Sequence, residues 1–162
     1  MSRKPNALQR FIHHFLILRA VSTFMARYLP DLDRLSMRLS KGYWTITNLV
    51  GLPIIQLTTI GAKSGLPRTV PLVSLVDGER IALIGSNFGK LHHPAWVHNL
   101  KANPKCQVQF SGESKPYFAR VAKGDEREIY WQMAVSYYAG YEKYKARAGD
   151  RQIQVVVLEP TS

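Results

Sequence analysis

The chain has 162 residues, 46% hydrophobic and 20% charged, which excludes a disordered polymer and fits a single-core globular protein. Its one cysteine, Cys106, excludes an internal disulfide, and His92, His93 and His98 lack zinc-ligand spacing, so no metal is expected. A net charge of +11 is met by an anionic ligand or a membrane surface at least as well as by nucleic acid, because no recognition helix or RNA-binding motif accompanies it; no nucleic acid is expected.

In chain order, residues 1–41 read as an N-terminal helical segment and 42–162 as a barrel domain. Phe11, Phe15, Leu18, Met25 and Leu29 share one face of a helix from Phe11 to Leu29. Arg10, Arg19 and Arg27 keep every window short of the roughly 20 apolar residues of a membrane span. Arg19 also splits the run that a signal peptide needs. The helix therefore packs on the barrel or a second copy, in a homodimer, or lies in a membrane interface with its arginines at head groups. A cytoplasmic protein is expected, with the inner face of the membrane as the alternative if residues 1–30 bind lipid. A short helix follows, from Asp31 to about Lys41, closed by Gly42.

From Tyr43 onward the pattern is that of strands: Tyr43–Leu49, Pro53–Thr59, Thr69–Val76, Arg80–Ser86, Cys106–Ser111, Lys115–Ala122 and Gln152–Leu158. Asp77-Gly78 signals a two-residue hairpin turn. A helix is predicted over Pro94–Ala102, with Pro in its first turn, and a longer one over Asp125–Arg147, with Asp125 and Glu128 spaced as a capping box. Strands outnumber helices and no βαβ alternation appears. The expected class is mainly β with helices (α+β), an antiparallel barrel with helices set against it.

The loop Gly61-Ala62-Lys63-Ser64-Gly65-Leu66 joins two of these strands and is followed by Arg68. It is not a nucleotide P-loop, since Lys63-Ser64 precedes the second glycine and Pro67 and Pro71 block the helix that motif requires. Either the backbone N–H groups, Lys63 and Arg68 converge on one anionic ligand, or this is a plain hairpin with solvated cations. In the last helix Tyr130, Tyr137 and Tyr144 recur every seven residues, with Trp131, Tyr138 and Tyr141 nearby. Such a stripe serves as core or as a stacking surface for a flat ligand, and Gly140 weakens the helix in its middle.

Three ordered motifs carry a resemblance. Thr58-Thr59-Ile60-Gly61-Ala62-Lys63-Ser64-Gly65-Leu66-Pro67-Arg68, then Gly85-Ser86-Asn87-Phe88-Gly89, then His93 to Pro104 with Trp96 and Asn99 resemble the deazaflavin-dependent nitroreductase and quinone reductase family, over about Gly42 to Pro160. The resemblance implies a split β-barrel, FMN-binding-like, and the 5-deazaflavin coenzyme F-420, with FMN as the alternative cofactor. It implies that Lys63, Ser64 and Arg68 hold the coenzyme's acidic tail, that Pro71 shapes the wall of the ring site, and that Ser86, Asn87 and Asn99 bond the coenzyme. Tyr138, Tyr141 and Tyr144 would face the acceptor, Tyr141 first among them, with Ser86 beside the reacting ring. Trp96 reads as core.

Two departures stand out. Many relatives carry lysine where this chain has Asn87, a loss that Lys90 is placed to offset, and often tyrosine near Val73. The implied activity is hydride transfer from the reduced coenzyme to a flat, electron-poor acceptor, a quinone or a nitroaromatic. A non-catalytic cofactor carrier or peripheral membrane module is the alternative of a different class.

Overall fold

Aliphatic residues alternate with polar ones through Ile55-Gln56-Leu57-Thr58, and in a computed structural model, which describes residues 53–110 and 112–161, this run lies in the first of six strands. The strands are β1 (Ile54–Ile60), β2 (Pro67–Asp77), β3 (Arg80–Ile84), β4 (Lys105–Phe110), β5 (Glu113–Val121) and β6 (Val155–Pro160). They form a closed antiparallel barrel in the order β1-β2-β3-β6-β5-β4, with β4 returning to β1. The helices are α1 (Ala95–Ala102), α2 (Gly124–Tyr137) and α3 (Gly140–Arg147). This is the split β-barrel expected from the sequence. The predicted strand Tyr43–Leu49 and the segment 1–41 lie outside the described residues.

Strand alternation builds two cores on one wall. Ile81, Leu83, Val156 and Leu158 face the barrel interior, with Ile55 and Leu57 of β1, Val108 of β4 and the α1 residues Trp96, Val97 and Leu100. Their neighbours Ala82, Ile84, Val155 and Val157 face outward, beneath Trp131 and Ala134 of α2 and Tyr141 and Tyr144 of α3. Each large apolar side chain so buried contributes about 1.5–3 kcal/mol, so β3 and β6 stabilise both layers at once.

Strand β2 changes partner partway. It pairs with β1 over Pro67–Val73 and with β3 only from Ser74 to Asp77. Pro67 and Pro71 fall on the stretch paired with β1 alone, where a residue without an N–H forfeits nothing on the other side.

Three local expectations are corrected. The predicted turn pair Asp77-Gly78 shifts by one: Asp77 pairs with Arg80, and the turn is Gly78-Glu79, with a positive φ of 60° at Gly78 as a type II′ turn requires. The predicted helix 125–147 is two helices, because Tyr138 is extended (φ −147°, ψ 101°) and its ring folds over Gly140, where a Cβ would lie 2.2 Å from it. No capping box forms: Lys123 is the N-cap without a side-chain bond, and Asp125 and Glu126 instead lie in the first turn, where the helix dipole favours them.

Candidate functional site

Strands β1, β3 and β5 run one way and β2, β4 and β6 the other, since every neighbour in the barrel is antiparallel. The segments that follow the odd strands therefore all leave from one end. They are the loop 61–66, the stretch 85–104 with α1, and 122–154 with α2 and α3. All three sequence motifs and the segment bearing Tyr138, Tyr141 and Tyr144 belong to that end, whereas the Tyr130 hydroxyl donates to Asp77 at the other (2.9 Å). The other end carries the Gly78-Glu79 turn and a polar cleft lined by Asp77, Glu79, Arg80, Glu159 and Pro160, whose Glu159 is held by Arg80 and Arg120.

The loop 61–66 is tied internally. The Gly61 N–H donates to Leu66 O (2.9 Å), the Gly65 N–H to Gly61 O (2.8 Å) and the Leu66 N–H to Ser64 Oγ (3.3 Å). Gly65 has φ 65°, and a Cβ on Gly61 would lie 2.6 Å from Ser64 Oγ, so both glycines are required by the turn. The N–H groups of Lys63 and Ser64 have no protein partner among the described residues. Lys63 and Arg68 are exposed and form no ion pair there, and Arg68 reaches only Ser64 Oγ, at 3.5 Å. Lys63 and these two donors on the loop, with Arg68 beside them on β2, suit a carboxylate or phosphate, through charge-assisted bonds.

Asn99 lies beneath this loop. Its Oδ1 accepts from the Ala62 N–H (3.0 Å) and its Nδ2 donates to Thr59 Oγ1 (2.9 Å), and both side chains are buried. The structure thus gives its side chain two protein partners that hold the loop to α1. Trp96, one turn earlier, is buried in the barrel interior.

The second motif makes a tighter turn. Ser86 is right-handed, then Asn87 (φ 47°), Phe88 (φ 55°) and Gly89 (φ 78°) are all left-handed. The Asn87 side chain donates from Nδ2 to His92 O (3.0 Å), and Phe88 meets the edge of Tyr144 with ring centroids 6.0 Å apart. Gly89 packs against α3, where a Cβ would lie 2.8 Å from that of Arg147. The N–H groups of Asn87 and Phe88 have no protein partner among the described residues, and the right-to-left-handed step is the geometry of an anion-binding nest.

One contributor has no signal in the sequence. Arg151 donates to the carbonyls of Gly85 (3.0 Å), Ser86 (2.7 Å) and Lys90 (2.9 Å), and lies 3.4 Å from His93 Nδ1. Burial and the Arg151 charge hold His93 below its usual range, so it is neutral at pH 7 and accepts from Arg151. His93 precedes α1, so helical spacing does not apply to it, and its ring meets that of His98 with centroids 5.8 Å apart.

Tyr138, Tyr141 and Tyr144 meet one another, with ring centroids 5.6, 6.0 and 6.1 Å apart. Tyr138 and Tyr144 share a hydrogen bond of 3.3 Å between hydroxyls, whereas the hydroxyl of Tyr141, a residue only 7% exposed, has no partner among the described residues. Burial pushes all three phenols up, so they are neutral donors at any physiological pH. Through Phe88 this cluster adjoins the second motif. Pro71 stands in β2, half-buried and opposite Gln56. Cys106 faces the barrel core, its thiol pushed up by burial to about 12, and is inert at pH 7. Among the described residues no helix is long and apolar enough to cross a membrane.

The family model for F420H(2)-dependent quinone reductase matches residues 34–160. An F420H(2)-dependent quinone reductase of Mycobacterium tuberculosis is 33% identical over 109 residues, covering 65% of this chain and 72% of that one. A solved F420-H2 dependent reductase is 41% identical with a TM-score of 0.61, over 66% of this chain and 94% of its own. A solved domain-swapped dimer is 36% identical with a TM-score of 0.63, over 78% of this chain and 95% of its own.

Proposed function

The chain belongs to the F420H(2)-dependent quinone reductase family, and on that premise we propose that Lys63, Ser64 and Arg68 hold the acidic tail of coenzyme F-420 while the loop 86–89 and the tyrosines serve its ring and the acceptor. The protein is an oxidoreductase that uses reduced deazaflavin, and its acceptor is a flat, electron-poor quinone, with nitroaromatics as a second class. The reduced coenzyme, when bound, supplies the hydride.

The observation that carries the assignment of residues is the loop 61–66. It offers the exposed Lys63 and two N–H groups without a protein partner among the described residues, beside the exposed Arg68 of β2, on the barrel end that also bears the second motif. Lys63 and Arg68 neutralise the tail. Asn99 holds the loop from beneath, as a positioning residue. The N–H groups of Asn87 and Phe88 suit ring heteroatoms, with Ser86 opening the turn, and Pro71 of β2 is assigned as the wall of the ring site. Tyr141, whose buried hydroxyl lacks a partner among the described residues, is the favoured donor to an acceptor oxygen; Tyr138 and Tyr144 orient it. Asn87 and Val73 make this pocket less cationic and less polar than that of relatives with lysine and tyrosine there.

The 36%-identical domain-swapped dimer supports pairing of two copies. The division at residues 41 and 42, a cytoplasmic location and membrane contact through residues 1–30 belong to the same reading. Sedimentation with liposomes, with and without residues 1–30, tests the last.

The deciding experiment is fluorescence titration of purified protein with coenzyme F-420 and, separately, FMN, beside Lys63→Ala and Arg68→Ala. Deazaflavin binding weakened about tenfold in each variant is expected. Preference for FMN would move the protein to a flavin chemistry, and binding of neither would remove the assignment of the loop.

A further inference from the structure

A left-handed residue other than glycine is costly, and two in succession persist only where the surroundings fix them. Asn87 and Phe88 are such a pair, and Gly89 continues the run. One side chain grips both of its ends. Arg151 reaches from the segment before β6 with Nη1 on Gly85 O, Nη2 on Ser86 O and Nε on Lys90 O. These three carbonyls bracket the left-handed residues.

A guanidinium has five donors in a rigid plane and no acceptor, so it gathers acceptors, here three backbone carbonyls. The remaining polar atoms of the turn follow from that. Ser86 O also receives the Gly89 N–H (2.9 Å), and Asn87 O receives the Lys90 N–H (3.0 Å). The N–H groups of Asn87 and Phe88 are left without a protein partner among the described residues, as are the carbonyls of Phe88 and Gly89. Arg151 thus takes up the carbonyls on either side of the turn and leaves those two N–H groups unused.

We propose that Arg151 is a positioning residue of the coenzyme site: by holding the carbonyls of Gly85, Ser86 and Lys90, it fixes the 86–89 turn so that the N–H groups of Asn87 and Phe88 are available to the ligand, without touching the ligand itself. The proposal rests on the reading that this turn lies beside the deazaflavin. His93 completes the arrangement from the other side, as an acceptor for Nη1 that also leads into α1. Arg151 therefore ties the second motif to the third, as Asn99 ties the third to the first.

The test uses the full chain, with Arg151→Gln and Arg151→Lys beside wild type. Coenzyme F-420 affinity is read by fluorescence, and amide hydrogen exchange is read in the free protein over 85–93 and over the barrel strands. Arg151→Gln is expected to weaken binding about tenfold or more. Lysine should recover only a minor part, because a single ammonium cannot span three carbonyls. Exchange over 85–93 should quicken in both variants while the strands keep their protection.

Affinity within twofold of wild type, with unchanged loop exchange, would overturn the proposal. So would faster exchange throughout the barrel, which would make Arg151 a general stabiliser, or lost binding with an unchanged loop, which would put Arg151 on the ligand. Wild type that fails to bind coenzyme F-420 would instead defeat the functional reading and the ligand half of the proposal. Exchange in the free protein would then still confirm or refute the grip of Arg151 on the turn.

Discussion

Asn99 and Thr59 are forty residues apart in the chain, yet the Asn99 amide donates to the Thr59 hydroxyl at 2.9 Å in the buried seam between α1 and β1. The same amide accepts from Ala62, so one side chain fastens the end of β1 and the start of the loop that follows. A loop of glycine and lysine has little stiffness of its own. Its shape is borrowed from a helix encoded much later in the chain.

Replacing Asn99 by Ala should therefore act on both stability and binding. It removes the acceptor of the Ala62 N–H and leaves the buried Thr59 hydroxyl with only its 3.5 Å bond to Arg68 O, at a cost of about 2 kcal/mol in urea unfolding. Coenzyme affinity should fall with it. Adding Thr59→Val should restore part of the stability but not the affinity, since the Ala62 N–H stays unheld. Full recovery of affinity in the double variant would refute this account.

Gly140→Ala places a methyl group where the Tyr138 ring now lies, 2.2 Å away. The ring must leave its place over α3, and overpacking of this kind costs about 1–3 kcal/mol. The tyrosine cluster should loosen as well, visible as altered near-UV circular dichroism. A variant as stable as wild type with an unchanged spectrum would show that the ring has room to yield.

The raised phenols predict how the protein fails in alkali. Each of Tyr138, Tyr141 and Tyr144 holds its proton more tightly folded than unfolded, where the ordinary value is 10.0. Above that pH the unfolded chain binds fewer protons than the folded one, so stability falls as pH rises. Tyr141→Phe removes one such group and should make the decline shallower between pH 10 and 11, as followed by thermal melts. An equal slope in wild type and variant would count against burial as the cause.

His93 has the opposite direction. Its folded pKa lies below the unfolded 6.5, so the unfolded chain binds the extra proton first, and stability is lost as pH falls below 6.5. Protonation also removes the acceptor that faces Arg151. Coenzyme binding should weaken on acidification, and His93→Gln, which keeps an acceptor that does not titrate, should flatten the profile. An unchanged acid limb in that variant would place the titrating group elsewhere.

The strands were legible because alternation of side chains is a local property. β1 through β6 lie within a few residues of the runs read from the pattern. The break at Tyr138 was not, although Gly140 marked the place. A helical pattern continues on both sides of it, and only the ring that folds over the glycine decides that the chain turns. In the site, charge and glycine spacing marked the loop 61–66, but the role of Asn99 beneath it depends on where α1 packs. Arg151 was invisible for the same reason. Nothing near it in sequence says that its guanidinium meets carbonyls more than sixty residues away.

Strand β6 belongs to the wall shared by the interior and exterior cores, and it is made after the other five described strands. Until Val155 to Leu158 have been synthesised, β3 and β5 have unpaired edges and both apolar layers lack a side. Pairs β1–β2, β2–β3 and β4–β5 need no later strand, but before β6 emerges the barrel cannot close and the tyrosine-rich helices lack Val155 and Val157 beneath them, a state prone to aggregation.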